Sequence, residues 1–287
     1  MAAELLRGKP IADKIKEQVK KDVEELKSKG ATPFLVAVQV GENAASKVYT
    51  NAQKKVAESV GIKYELKELD ENITQEDLLK YIQELNDNSE VSGIILQMPV
   101  PAHIDAKVAQ WSIAYDKDVE AVTPYNMGLV SFGAPRLAPC TPAGAVELIK
   151  STGVELYGKE VTVVGHSDIV GKPVALLLLN EFCTVNICHI ATGERGLTEK
   201  HVRNAEILVV AVGVPGLVKG DWVKEGAIVI DIGINRVGDK LVGDVEFEPA
   251  AEKAAYITPV PGGAGVATTA VLMQNVAEAA KWQLEGK

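Results

Sequence analysis

Cysteine is rare in this chain. Cys140, Cys183 and Cys188 are odd in number and scattered, which argues against a disulfide framework and against a zinc site. No stretch approaches the ~20 apolar residues of a membrane span. Met1 to Pro10 lacks the apolar core of a secretion signal, so a cytoplasmic protein is expected. Positive charge is in deficit: the formal net charge is −9, which speaks against nucleic acid or an anionic membrane as the main partner. Aromatic residues make up only 5%. There is no Gly-x-Ser-x-Gly, no Walker loop, and no cluster of His and Cys at ligand spacing. His103, His166, His189 and His201 stand alone, so no metal is expected. Internal repeats and low-complexity tracts are also missing.

What remains is an α/β pattern. The chain has 287 residues, room for two domains, with 47% hydrophobic residues and 25 glycines. Ile11, Ile15, Val19, Val23 and Leu26 recur at helical spacing between charges, and Gly30 stops that helix. Strands are expected at 34–40, 64–69 and 91–96, alternating with helices over 44–60 and from the Thr74 cap to about Leu85. Six prolines interrupt the stretch from Pro99 to Pro142, a candidate linker. After a helix from Ala143 to Lys150, a second alternation places strands at 161–164, 184–188, 206–212 and 227–231, the spacing of a doubly wound sheet. Tyr256 to Pro259 reads as a short strand, and Ala267 to Leu284 as a long last helix. The expected domains are 1–138 plus 266–287, and 139–265 as a Rossmann-type domain.

Three constellations carry chemistry. In the first, Ser46, Tyr49 and Gln53 share one face of the second helix, just beyond the strand end at Gly41-Glu42-Asn43. The second is Gln97, which closes an apolar strand and precedes Pro99 and Pro101; its amide suits the edge of a heterocycle. The third is Gly165-His166-Ser167-Asp168-Ile169-Val170-Gly171, a strand–turn–helix unit on which nucleotide phosphates are held. A plain structural corner has the same local sequence. Two further apolar strands, however, break at Gly213 and Gly233, as a sheet edge carrying a dinucleotide does. The strand ending at Cys188 is followed by His189, with neither the acid nor the base that would choose between ribose and 2′-phosphate. Asp168 opposes a 2′-phosphate, so NAD is preferred over NADP.

Several stretches in order resemble the bifunctional methylenetetrahydrofolate dehydrogenase/cyclohydrolase family across essentially the whole chain. They are Val40 to Ser46 with Tyr49, Gln97 to Pro101, Lys117-Asp118-Val119, Pro139 to Pro142, Gly165 to Pro173, and Pro259 to Gly263. The resemblance implies an N-terminal folate-binding α/β domain, a C-terminal Rossmann domain and a homodimer. It implies oxidation of 5,10-methylenetetrahydrofolate to the methenyl form with NAD or NADP, then hydrolysis to 10-formyltetrahydrofolate. Ser46, Tyr49, Glu120, Pro261 and Gly262 would hold the folate, and Tyr49, Gln53 and Gln97 would line the reacting centre. Thr141, Gly165, His166, Ser167, His189, Gly213, Ile234 and Thr268 would hold the cofactor.

The departures fall on the folate side. Family members with both activities carry a lysine four residues after the tyrosine, where this chain has Gln53. Lys54 is adjacent, but one residue turns a helix by about 100°. Glu120-Ala121-Val122-Thr123 stands where the family usually reads Asp-Gly-Phe-His, and Gly263 to Thr268 also diverges. An amide does not titrate near neutrality, so the expectation is a dehydrogenase with weak or lost cyclohydrolase. The alternatives are a fully bifunctional enzyme and a non-catalytic folate- or nucleotide-binding paralogue.

Overall fold

The computed structural model describes residues 3–42 and 44–286, with only the backbone described for Ala44, Ala45, Ser46 and Val48. In chain order it runs β1 (Glu4–Leu5), α1 (Gly8–Ser28), β2 (Phe34–Val40), α2 (Ala44–Val60), β3 (Lys63–Leu69), α3 (Gln75–Asp87) and β4 (Gly93–Leu96). There follow α4 (Ala106–Trp111), α5 (Pro124–Ser131), α6 (Cys140–Ser151), β5 (Glu160–Val164), α7 (Gly171–Asn180), β6 (Thr184–Cys188), α8 (Ile190–Glu194) and α9 (Thr198–Asn204). The remainder is β7 (Ile207–Val210), β8 (Ile228–Asp231), β9 (Asn235–Val237), β10 (Lys240–Val242), α10 (Phe247–Lys253), β11 (Tyr256–Ile257) and α11 (Ala264–Glu285).

The chain divides into two compact units, Met1–Ala12 with Thr141–Thr268, and Asp13–Cys140 with Thr269–Lys287. The first 12 residues were expected with the folate domain. They group instead with the C-terminal sheet, because β1 pairs in parallel with β11 and Leu6 N–H donates to Ile257 O at 2.9 Å.

In the three-stranded unit, β2 lies between β3 and β4, and both pairings are parallel. All seven residues of β2 are buried, as expected of a parallel strand covered on both faces. Phe34, Val36 and Val38 pack with Ile94 and Leu96 of β4 and with Leu78, Ile82 and Leu85 of α3. Thr74 caps α3 by accepting from Asp77 N–H, while its hydroxyl donates to the Asp77 carboxylate at 2.7 Å. A glutamate would reach back to the cap's own N–H; the shorter acid bonds the hydroxyl instead.

The other unit holds a parallel sheet of order β1-β11-β8-β7-β5-β6. Its strands alternate between two cores. Val161, Val163, Ile207, Val209, Ile228 and Ile230 face α6 and α7. Val164, Leu208, Val210 and Val229 face the opposite side, with Val202 of α9 and Ala250 of α10. This is the doubly wound α/β arrangement. Among the described residues, no helix is long and apolar enough to cross a membrane.

Candidate active site

On α2, Tyr49 and Gln53 lie one turn apart. Gln53 is fully buried. Its Oε1 accepts from Tyr64 Oη of β3 at 3.2 Å and from Gln97 Nε2, just past β4, at 3.1 Å. Gln97 is itself anchored by its N–H to Val38 O at 2.8 Å. The helix and both flanking strands therefore converge on one carboxamide oxygen. The Gln53 Nε2 makes no close hydrogen bond among the described residues, although the Gln53 side chain acts on the Tyr49 phenol and favours its ionised form. A buried donor without a close acceptor costs ~1–3 kcal/mol, so this N–H is suited to a ligand acceptor. Ser46 lies in α2, but its side chain falls outside the described residues, as does Asn43.

Tyr49 keeps 37% of its surface exposed, enough for a ring face to meet a ligand. Burial of its phenol, followed by the nearby Cys140 and Glu120, pushes its ionisation above the ordinary range. Burial also pushes Tyr64 up to about 12. Burial again, and then the Asp118 charge, pushes the Glu120 carboxyl up to about 8. Tyr49, Gln53, Tyr64, Gln97, Glu120 and Cys140 thus make a set without a cation. Lys54 does not join it: its Nζ lies 3.9 Å from Glu58 in an exposed pair.

The Lys117-Asp118 pair builds the loop that presents Glu120. The buried Lys117 ammonium donates to Leu85 O, Asn86 O and Asn88 O at 3.1, 2.7 and 2.7 Å, capping the end of α3. Asp118 accepts from Val122 N–H, Thr123 N–H and Asn126 Nδ2 at 3.2, 2.8 and 2.9 Å. Behind the loop, Asn275 of α11 donates to Val119 O and to Ala138 O, both at 2.8 Å. Asn275 escapes sequence reasoning because its partners lie more than a hundred residues away, and Cys140, inside the Pro139 to Pro142 stretch, has no role that the sequence assigns.

In the six-stranded unit, the glycine turn after β5 is a tight cradle. A Cβ on Gly165 would meet Ala211 O at 2.2 Å, and one on Gly171 would meet Gly165 O at 2.2 Å. Ser167 Oγ accepts from Val170 and Gly171 N–H at 3.1 and 3.3 Å, closing the turn onto α7. Beside it opens a cavity of ≈ 730 Å³ lined by Gly165, His166, Ser167, His189, Val212 and Trp222 among others. That volume and a side-chain-free backbone approach fit a dinucleotide.

Four expected cofactor residues, Thr141, Gly213, Ile234 and Thr268, are not on its lining. Thr268 Oγ1 donates to Thr141 Oγ1 at 3.2 Å, and Ile234 is 59% exposed beside Gly265. Gly213 N–H and Val212 N–H donate to Asp244 Oδ2 at 2.9 and 2.7 Å. Asp244 is a buried acid the sequence did not single out, and Asp231, also buried, ends the strand that breaks at Gly233. Asp231 accepts from Gly233, Asp244 and Val245 N–H, and burial pushes its carboxyl up to about 6. Pro261 and Gly262 follow β11, where Gly262 O accepts from Gly8 N–H at 2.9 Å. Among the described residues, no group of three or more His, Cys, Asp or Glu could hold a metal ion.

Two family models cover the chain. One described as the tetrahydrofolate dehydrogenase/cyclohydrolase catalytic domain matches residues 6–120, and one described as its NAD(P)-binding domain matches 139–284. The Bifunctional protein FolD of Bacillus pumilus is 49% identical over 282 residues, 98% of this chain and 99% of that protein. The crystal structure of the bifunctional FolD methylenetetrahydrofolate dehydrogenase/cyclohydrolase from Campylobacter jejuni superposes with a TM-score of 0.94 at 43% identity, covering 98% and 99% of the two chains. The Trypanosoma brucei enzyme, solved with NADP and an inhibitor, gives 0.93 at 38% identity, covering 99% of each.

Proposed function

The chain belongs to the tetrahydrofolate dehydrogenase/cyclohydrolase family, and from that premise we propose that it oxidises 5,10-methylenetetrahydrofolate with little or no cyclohydrolase activity. Gln53 carries the second half of this reading. It holds the position of the family lysine, is fully buried, and can only donate or accept hydrogen bonds. Tyr49 would pack its ring on the folate, Glu120 would take the pterin edge, and Ser46, Pro261 and Gly262 would complete the folate contacts. Gln97 and Gln53 would fix the one-carbon bridge.

A nicotinamide cofactor, NAD or NADP, supplies a hydride acceptor when bound. Gly165 and Gly171 give its phosphates room at the backbone. His166, Ser167 and His189 would face its adenosine half, and Thr141, Gly213, Ile234 and Thr268 the remainder. Hydride transfer asks the protein for alignment and needs no proton relay at its chemical step. Hydration of the methenyl cation does need a group to take the proton of water, and an amide cannot.

The relatives named bifunctional favour a second reading, in which both activities persist. Ordered water would then have to move the proton, since Lys54 is turned to solvent against Glu58. Purified protein given methylenetetrahydrofolate and NAD or NADP decides between the two. Methenyl absorbance that appears and then decays no faster than in buffer is expected; rapid enzymatic decay establishes the bifunctional reading. The same proposal takes the protein to be a cytoplasmic homodimer, and light scattering on purified protein tests the dimer.

A further inference from the structure

We propose that the cavity of the six-stranded unit selects NAD over NADP, with Glu194 accepting the 2′-hydroxyl of the adenosine ribose; this rests on the cofactor reading above. In a dinucleotide-binding sheet that ribose lies at the end of the second strand, where an acid takes the 2′-hydroxyl or a base takes a 2′-phosphate. Here the second strand is β6, and both its last residue, Cys188, and the following His189 line the cavity. The strand end carries no charged residue, but the cavity wall beyond it does. Glu194 of α8 and Glu199 of α9 line it, and no Lys or Arg is among its lining residues.

The two carboxylates are not equivalent. Glu199 is committed to Arg203, 2.6 Å away, whereas Glu194 is exposed and has no ion pair among the described residues. The Asp168 charge that opposed a phosphate in the sequence is offset by Lys172 at 2.6 Å and lies off the cavity lining. Selection therefore falls to α8 and α9. His166 and His189 face each other with ring centroids 5.2 Å apart, and an imidazole, unlike a guanidinium, carries no permanent charge. A 2′-phosphate placed here would meet like charge and no cation on the lining, while a hydroxyl would meet an acceptor. Arg195, between Glu194 and Gly196 in the chain, lies off that lining.

Fluorescence titration with NADH and with NADPH at pH 8, without folate, tests this independently of turnover. NADH is expected to bind at least ~10-fold tighter, the factor that ~1.4 kcal/mol of discrimination produces. Glu194→Gln should weaken NADH and narrow the ratio, and the double variant His166→Arg, Glu194→Lys should gain NADPH binding. Equal or tighter NADPH binding by the unaltered protein overturns the selectivity, whatever the variants do. Binding of neither nucleotide overturns the cofactor site itself and this proposal with it.

Discussion

Carboxamide and ammonium are close in reach but differ in what they do with a proton. At position 53 the oxygen is occupied by Tyr64 and Gln97, and among the described residues the amide N–H group makes no close hydrogen bond and bears only on the Tyr49 phenol. Gln53→Lys would place a titratable group in a setting already lined by Tyr49 and Glu120. General acid–base help contributes typically ~10²–10⁴-fold, so a partial restoration of at least ~10-fold in methenyl hydrolysis is expected, with dehydrogenase rates within a few-fold. Decay of methenyl absorbance at fixed pH measures it, and an unchanged rate would mean that more than one group is missing. Ala121, two residues before the Thr123 cap of α5, tells a quieter story. Its φ of 53° lies in the left-handed region, where the family has glycine. The strain is ~1–2 kcal/mol, but burying the methyl returns ~0.8 kcal/mol and a glycine would add chain entropy, so the substitution is close to neutral.

At the scale of elements, stability and ligand geometry separate cleanly. Thr74→Ala removes the α3 cap and is expected to cost ~1 kcal/mol in chemical denaturation without altering ligand affinity, since α3 contributes packing rather than site atoms. Gly171→Ala does the reverse kind of damage. The added Cβ would overlap the Gly165 carbonyl, so the turn must open and NADH binding is expected to fall by ~10-fold or more, read by fluorescence titration. The long strands and helices were legible because their apolar periods extend over many residues. Those hidden in the sequence are short: α4, α5, α8, α10 and the β9–β10 hairpin. Local signals for three of them exist, in the Asp105 and Thr123 caps and in Gly238 between β9 and β10, whose φ is 60°. β1 is different, because two residues pairing with β11 at the far end of the chain leave no local trace. The site was legible where one helix face or one strand end supplies it, as at Tyr49, Gln53 and Gln97. Asn275 and Asp244 were not, nor were the contacts of Cys140 and Asp231, since tertiary contacts alone bring each to its partners.

For the whole molecule, three acids raised by burial, Asp118 and Glu120 in one unit and Asp231 in the other, set an unusual dependence of stability on pH. The Glu120 carboxyl moves from 4.5 to about 8, and that of Asp231 from 3.8 to about 6. All three are raised, so the native state holds these protons more tightly than the unfolded chain. Their contribution is complete below the unfolded values and is lost as pH rises through the native ones. At ~1.4 kcal/mol per pH unit for each site, the effect is large against a marginal native state. The acids shifted downward, Glu25, Glu206 and Glu246, are exposed or half-exposed and paired with lysines, so they oppose it only weakly. The raised acids also belong to different units: Asp231 lies in the six-stranded one, and Asp118 and Glu120 in the three-stranded one. Between pH 6 and 8 the loss therefore falls on the three-stranded unit, and a single two-state description need not hold. Calorimetry at steps from pH 5 to 8.5 should show a transition moving to lower temperature above pH 6. Glu120→Gln, which cannot ionise, should flatten that slope while leaving the Asp231-dependent change below pH 6 in place. Equal slopes for the two proteins above pH 6 would show that Glu120 is not the group being titrated.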